Sequence, residues 1–198
     1  MRRALAATWV WLVAACGEGG SGEAADGPQP PGGAAGTSAM CPSEATGATG
    51  SGSITGSVRG MGFDTVASSR WIGAPDSLDT SVVYVFSTAV ACTELCSPGW
   101  DQRIVDQSRI LELKMFGTSP ATFTVVTTAT PGPGEASVNY TLASTSGTPA
   151  EVSSSRGSVT LDMLEPGQRA TGSYALAFGT EMLTGTFDAS FCPGGHEP

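Results

Sequence analysis

The sequence predicts an all-β domain, an antiparallel β-sandwich of eight or nine strands, with a closed β-barrel as the alternative. Two observations favour this class. Val, Thr, Phe and Tyr occur in short runs that Gly, Pro, Ser and Asp separate, as expected for many short strands and turns. No stretch shows a sustained helical periodicity, so we do not expect a parallel βαβ architecture.

The first half of the domain contains five predicted strands, at residues 53–59, 67–72, 81–87, 110–116 and 122–127. The segment 81–87 is continuously apolar, which is typical of a strand covered on both faces. In 110–116, Leu111, Leu113 and Met115 alternate with polar residues, which indicates one buried face. The segment 67–72 also fits a helical turn.

The second half contains four more predicted strands, at residues 136–143, 158–164, 173–178 and 183–191. All four alternate; in the first, Val138, Tyr140 and Leu142 share one face. Turns rich in Pro and Gly lie at 131–134 and 165–168. These short connections favour antiparallel pairing of neighbouring strands.

The N-terminal residues have the pattern of a secretory signal peptide. Arg2 and Arg3 give a positive start, residues 4–15 form a largely apolar run, and the letters LVAAC at 12–16 resemble the lipobox of bacterial lipoproteins. The resemblance implies that residues 1–15 are removed and that Cys16 carries acyl chains. Ordinary signal-peptide cleavage is the alternative, whereas a transmembrane helix needs about 20 apolar residues, more than this run provides.

Residues 16–40 are predicted to be the lipidated Cys16 followed by a flexible linker. Positions 17–40 hold eight Gly and three Pro, a composition that cannot bury enough apolar surface to fold. We expect the domain at 41–193 and a short tail at 194–198. Gly17 stands where some bacterial lipoproteins carry an inner-membrane retention Asp, so we expect a location at the outer membrane of the cell envelope.

Composition limits the partners of the processed chain. After removal of residues 1–15, seven Lys and Arg face eighteen Asp and Glu, a formal charge of −11. This balance argues against nucleic acid, whose binding needs a basic surface. We expect contact with a membrane through the lipid anchor, an envelope protein or a glycan as partner, and no cofactor.

Residues in the second half of the domain carry a resemblance to a family of bacterial proteins that covers roughly residues 41–192. The letters GSVTL at 157–161, GSY at 172–174 and LTGTFDA at 183–189, with Cys192 after them, resemble uncharacterised lipoproteins of myxobacteria. Those proteins combine a lipobox, a low-complexity linker and a β-rich domain. The resemblance implies compartment and fold, and it implies no activity.

Four cysteines follow Cys16 and are predicted to form two disulfides, because an even number in an exported chain indicates bridges. Three pairings are possible. We favour Cys92–Cys96, which would close a tight loop, together with Cys41–Cys192, which would join the start of the domain to its last strand. A zinc site using these cysteines is the weaker alternative.

The sequence contains no recognisable catalytic constellation. His196, the only histidine, is the third residue from the end of the sequence and lies in the predicted tail, where it cannot hold triad geometry. A carboxylate-based hydrolase remains as a further alternative, because acidic residues can act in pairs. The candidates are Asp64, Asp76, Asp79, Glu112, Glu181 and Asp188. The segment 76–80 has oxygen ligands for calcium without a recognised loop pattern, so no metal site is predicted.

Trp71 and Trp100 are the candidate ligand-contact residues, because an exposed Trp can stack on a sugar or anchor a protein partner. The alternative is that each covers an end of the core. The leading hypothesis is a lipid-anchored, non-enzymatic binding or structural module. A carbohydrate-binding module that uses Trp71 or Trp100 is the second.

Overall fold

The computed structural model of the 198-residue chain describes residues 49–63, 65–73, 79–97, 99–104, 107–144 and 150–195. The predicted signal peptide, the linker and residues 196–198 lie outside this part. The strands are β1 Ser51–Val58, β2 Met61–Gly62, β3 Ser68–Ile72, β4 Ser81–Phe86, β5 Arg109–Met115, β6 Ala121–Val125, β7 Glu135–Leu142, β8 Ala150–Ser153, β9 Arg156–Glu165, β10 Arg169–Phe178 and β11 Glu181–Phe191. The helix α1 is Cys92–Leu95, and Trp100–Gln102 forms a turn of 3₁₀-helix.

The all-β prediction is confirmed, and each of the nine predicted strands corresponds to an observed one. The sequence does not predict β2 and β8. The first has only two residues, and the second is largely exposed, so neither carries an apolar alternation. Within the described residues, no helix is long and apolar enough to cross a membrane.

The eleven strands form one mixed sheet that folds over itself in a sandwich-like arrangement. Its hydrogen-bonded order is β10-β9-β6-β7-β5-β4-β3-β11, and β11 also pairs with β10. Two junctions in this circuit, β6–β7 and β3–β11, are parallel and only two residue pairs long. The sheet is therefore mostly antiparallel, as predicted, but it divides at these short junctions and is not a regular barrel.

The main core fills the space between the two layers of the sheet. Leu111 and Leu113 from β5, and Phe187 from β11, are almost completely buried in it. Tyr174 on β10 enters the same core, and its hydroxyl donates to the backbone oxygen of Ser53 at 3.1 Å. Burial raises the pKa of this hydroxyl, so it stays protonated and acts as a donor.

A second, smaller core lies on the outer face of β4, where Tyr84 and Phe86 point away from the main core. Residues 90–97 and 99–104, which we call the cap segment, cover this face with Leu95 and Trp100 among others. All six residues of β4 are buried as a result. The continuous apolarity of 81–87 thus correctly predicts a strand covered on both sides.

The disulfide pairing predicted above is wrong. Cys92 bonds to Cys192, so Cys92 cannot pair with Cys96, and Cys192 cannot pair with Cys41. The bond joins the first residue of α1 to the end of β11 across a sequence separation of 100 residues. Proximity along the chain is misleading here because the cap segment folds back onto β4 and brings Cys92 to β11. Cys96 is also disulfide-bonded, and Cys41 lies outside the described residues.

Candidate functional site

The two predicted ligand-contact tryptophans are both buried, which contradicts the prediction that either one presents an exposed face. Trp71 is 5% exposed and packs against Phe191, with ring centroids 4.8 Å apart. Trp100 is 1% exposed and contacts Tyr84 edge to face at 5.0 Å. Because each ring is enclosed by protein atoms, both serve as core residues, and Trp100 attaches the cap segment to β4.

Two of the described acidic candidates are engaged in structural contacts, and Asp79 is exposed. Glu181 accepts hydrogen bonds from the turn between β1 and β2, and Asp188 forms an ion pair with Arg169 at 2.7 Å. Glu112 lies mid-strand on β5, opposite Asn139. Asp64 and Asp76 are outside the described residues. Among the described residues, no group of three potential ligands could hold a metal ion.

Glu181 has a structural environment that explains its low pKa. The amide of Gly60 donates to its carboxylate at 2.7 Å, and the hydroxyl of Ser57 donates at 2.8 Å. The amide of Arg59 makes a third hydrogen bond to it. These donors, with the Gly60 amide first, lower the pKa of Glu181, because they stabilise the charged form. The carboxylate thereby fixes the β1–β2 turn.

A cleft of about 850 Å³ lies at one end of the sheet. Three segments line it: residues 79–80 before β4, the stretch from Lys114 near the end of β5 to Ala121 at the start of β6, and residues 129–134 before β7. Phe123 of β6 also contributes to it. The volume lies within the range of about 300–1,000 Å³ that is typical of ligand sites.

Backbone hydrogen bonds hold the walls of this cleft in place. Phe116 donates to the oxygen of Glu135 at 2.9 Å and accepts from Gly134 at 3.0 Å. The carboxylate of Glu135 accepts from the amide of Gly132 at 2.7 Å and so closes the Pro–Gly turn. Gly117 lies against the ring of Phe123, where a Cβ atom would come within 2.8 Å of the ring. The cleft is therefore preformed.

The lining of the cleft is mainly apolar, with a hydroxylated rim and one charge of each sign. Phe116, Ala121, Ala129, Pro131 and Pro133 provide the apolar surface. The hydroxyl groups belong to Thr80, Thr118, Ser119 and Thr130. Lys114 is half-buried and Asp79 is exposed. Such a surface suits a ligand that has an apolar body and few polar groups.

The Pro–Gly turn at 131–134 is predicted from the sequence, whereas the cleft beside it is not. Lys114 is the one sequence feature that could have indicated the cleft, because it is the only lysine in the chain.

No protein family model, curated protein or solved structure matches this chain.

Proposed function

We propose that this chain is a lipid-anchored protein of the bacterial cell envelope whose all-β domain binds a ligand in the cleft and catalyses no reaction. The observation that carries the binding role is the preformed cleft of about 850 Å³. A rigid site loses little conformational entropy on binding, so such a cleft favours affinity. The anchor rests on the LVAAC letters at 12–16 and the linker behind them.

Attachment through acyl chains on Cys16 would keep the domain at a membrane surface. Each buried methylene contributes about 0.8 kcal/mol, and two or more chains hold a protein firmly. The linker of 24 residues would span about 25–30 Å as a flexible coil, enough to separate the domain from the bilayer. Gly17 favours the outer membrane.

Neither of the two alternative functions has a structural observation in its favour. The carbohydrate hypothesis requires Trp71 or Trp100 at a surface, and both are buried. The hydrolase hypothesis requires two cooperating carboxylates, whereas Glu181 and Asp188 are each engaged in a structural contact. A binding role therefore accounts best for the described geometry.

The anchor is tested by fractionating cells that express the natural chain or Cys16→Ser. We expect the natural protein in the membrane fraction and the variant in the aqueous fraction, because serine cannot carry the thioether-linked lipid. Ser21→Ala is the control, since it changes the linker close to the anchor but leaves position 16 intact. Recovery of processed Cys16→Ser protein from the membrane would contradict the anchor.

The binding role is tested with Lys114 as a chemical reporter. An amine-selective reagent is applied to the Cys16→Ser chain, alone or with extracts of the cell envelope, and peptide mass spectrometry measures labelling at Lys114. One extract is made with chloroform and methanol and the other with water. A ligand for the cleft should protect Lys114 by at least about fivefold. Full labelling with both extracts would contradict the role assigned to the cleft.

A further inference from the structure

We propose that the cleft binds a short peptide segment of a partner protein in which lysine or arginine stands beside apolar residues. This inference rests on the proposed function, because it assigns a ligand class to the same cleft. Three features of the cleft carry it: the apolar walls, the hydroxyl groups along the rim, and the excess of carboxylates around the opening.

The apolar walls provide a place for the apolar side chains of the peptide. Phe116, Ala129 and Pro131 line the cleft from two separate segments of the chain, and Phe123, which is 2% exposed, closes it from β6. Loops at the end of a sheet are usually polar, so a concave apolar surface in that position indicates a partner that buries apolar groups there. The peptide should therefore lose affinity when its own apolar residues are replaced by polar ones.

The hydroxyl groups of the rim favour a peptide over a simple hydrocarbon. Thr118, Ser119 and Thr130 line the cleft and are exposed. A hydroxyl group both donates and accepts hydrogen bonds, and a peptide backbone presents an N–H donor and a C=O acceptor at nearly every residue. A hydrocarbon chain would offer these hydroxyls no hydrogen bond where it covers them, which costs free energy. The rim thus matches the backbone of a peptide, and the walls match its side chains.

Among the described residues, carboxylates outnumber cations around the opening of the cleft. Lys114 and Asp79 line it, and two further carboxylates adjoin them. Glu112 lies two residues before Lys114 on the same face of β5, and Glu135 accepts from the amide of Gly132 in the lining. Lys114 and Glu112 each already make an interaction within the protein. The opening therefore keeps a net negative charge.

Asp79 and Glu135 are the carboxylates that a cationic side chain of the partner would meet. Asp79 is exposed and Glu135 is half-buried. The amide of Gly132 is uncharged, so its hydrogen bond leaves the charge of Glu135 in place. An exposed ion pair contributes only modestly to affinity. The apolar contacts must therefore supply most of the affinity, and the charges select the partner.

The acidic surroundings continue along the neighbouring strand β9. Ala121 of the lining pairs with the residue that precedes Asp162, and the strand ends at Glu165. Arg169, at the start of β10, forms an ion pair with Asp188. The whole chain has a formal charge of −9. A cationic partner is attracted by this field before contact, whereas an anionic one is repelled.

The experiment measures the fluorescence anisotropy of rhodamine-labelled hexapeptides with the full chain carrying Cys16→Ser. One peptide alternates leucine and lysine, the second alternates leucine and glutamate, and the third alternates serine and lysine. We expect the leucine–lysine peptide to bind at least about tenfold more tightly than the other two, because each of them lacks one of the two complementary features. Equal or tighter binding of the leucine–glutamate peptide would overturn the proposal, and so would equal binding of the serine–lysine peptide.

Two substitutions locate the binding site. Ala129→Arg should abolish binding of the leucine–lysine peptide, because it places bulk and a positive charge in the cleft. Thr184→Arg is the matched control: it makes the same change of charge at an exposed position of β11, a strand that contributes no described residue to the cleft. Equal loss of binding in the two variants would reveal a general charge effect and overturn the proposal. Unchanged binding in Ala129→Arg would also overturn it, provided that circular dichroism shows the variant folded.

Asp79→Asn tests the charge separately from the shape of the cleft. It should weaken binding of the leucine–lysine peptide about threefold, since it removes an exposed carboxylate of the lining. Glu151→Gln removes the same charge from an exposed position of β8 and should leave the affinity unchanged. Equal affinities of the two variants would overturn the proposal that the cleft recognises a cationic side chain.

The remaining outcomes separate this inference from the proposed function. We expect the aqueous extract of the cell envelope to protect Lys114, since a protein partner dissolves in water. Protection by the chloroform and methanol extract alone would overturn the peptide ligand while supporting the cleft as a binding site. Failure of both extracts to protect Lys114 would remove the proposed function itself.

Discussion

Glu181 shows how one half-buried side chain can determine local backbone geometry. Arg59 and Gly60 form the turn between β1 and β2, and both have positive φ values, 53° and 71°. A positive φ is unfavourable for a residue with a Cβ atom such as Arg59. The Glu181 carboxylate accepts from the amides of both turn residues and so stabilises this conformation. Two strands that are distant in sequence are joined by that contact.

Replacing Glu181 with Gln should lower the melting temperature in a pH-dependent way. The folded-state pKa is depressed, so the carboxylate stabilises the fold above the unfolded pKa of about 4.3, and this stabilisation disappears as the pH falls through the folded-state value. In thermal melts from pH 7 to pH 2, the melting temperatures of the variant and the natural chain should differ most near neutral pH. The two melting temperatures should become equal in acid. Glu151→Gln, at an exposed position of β8, serves as the control. A difference independent of pH would contradict this assignment.

At the scale of elements, β10 and β11 are locked together by two reciprocal pairs of glycine and aromatic residues. Gly172 lies opposite Phe187, and Tyr174 lies opposite Gly185. A Cβ atom on Gly172 would lie 2.5 Å from Phe187 Cζ, and one on Gly185 would lie 2.7 Å from Tyr174 Cζ. Each ring therefore covers the glycine of the other strand, which allows two aromatic residues to share a narrow part of the core.

Gly172→Ala should destabilise the protein by about 1–3 kcal/mol, because the new methyl group also meets the backbone oxygen of Thr160, which cannot move aside easily. Urea unfolding measures the change. Gly132→Ala is the matched control, since the nearest atom to its Cβ would be a Glu135 carboxylate oxygen at 3.8 Å. Equal stability of the two variants would contradict the packing described for β10 and β11.

The cap segment is the part of the described structure that is predicted least well from the sequence. Its short helix and 3₁₀ turn carry too few residues to show a helical period, so the sequence gives no sign that they fold onto β4. One error follows from this omission: Cys92 is expected to pair with Cys96 but bonds to Cys192. For Trp100, an exposed position and a position over the core were both considered, and the ring packs on Tyr84.

At the scale of the whole molecule, the strands were predictable and their order was not. The alternation of apolar and polar residues depends only on the two faces of a single strand. In β5 it correctly predicts that Leu111, Leu113 and Met115 are buried. Which strands become neighbours depends on contacts that are distant in the chain. The parallel junctions β6–β7 and β3–β11 are two residue pairs long, too short to leave a pattern in the sequence. The cleft is formed by three segments that are separate in the chain, so its lining could not be predicted from the sequence either.

The complete disulfide pattern can be tested by peptide mapping of the unreduced chain. Cleavage after Glu94 separates Cys92 from Cys96, so a protease specific for Glu combined with trypsin resolves the pairings. We expect one linked peptide containing Cys92 and Cys192. By elimination among the four domain cysteines, the other should contain Cys41 and Cys96. A bridge between Cys92 and Cys96 would contradict the fold of the cap segment.

The buried residue Ser69 on β3 holds the start of β1 against the sheet. Its amide donates to the oxygen of Thr49, and its hydroxyl lies 2.9 Å from the backbone oxygens of both Ser51 and Asp188. A force that pulls on the start of β1 would meet these hydrogen bonds first. The load would pass from the first residues of β1 to β3 and β11 together, so Ser69 would act as a mechanical clamp that resists the peeling of β1 from the sheet.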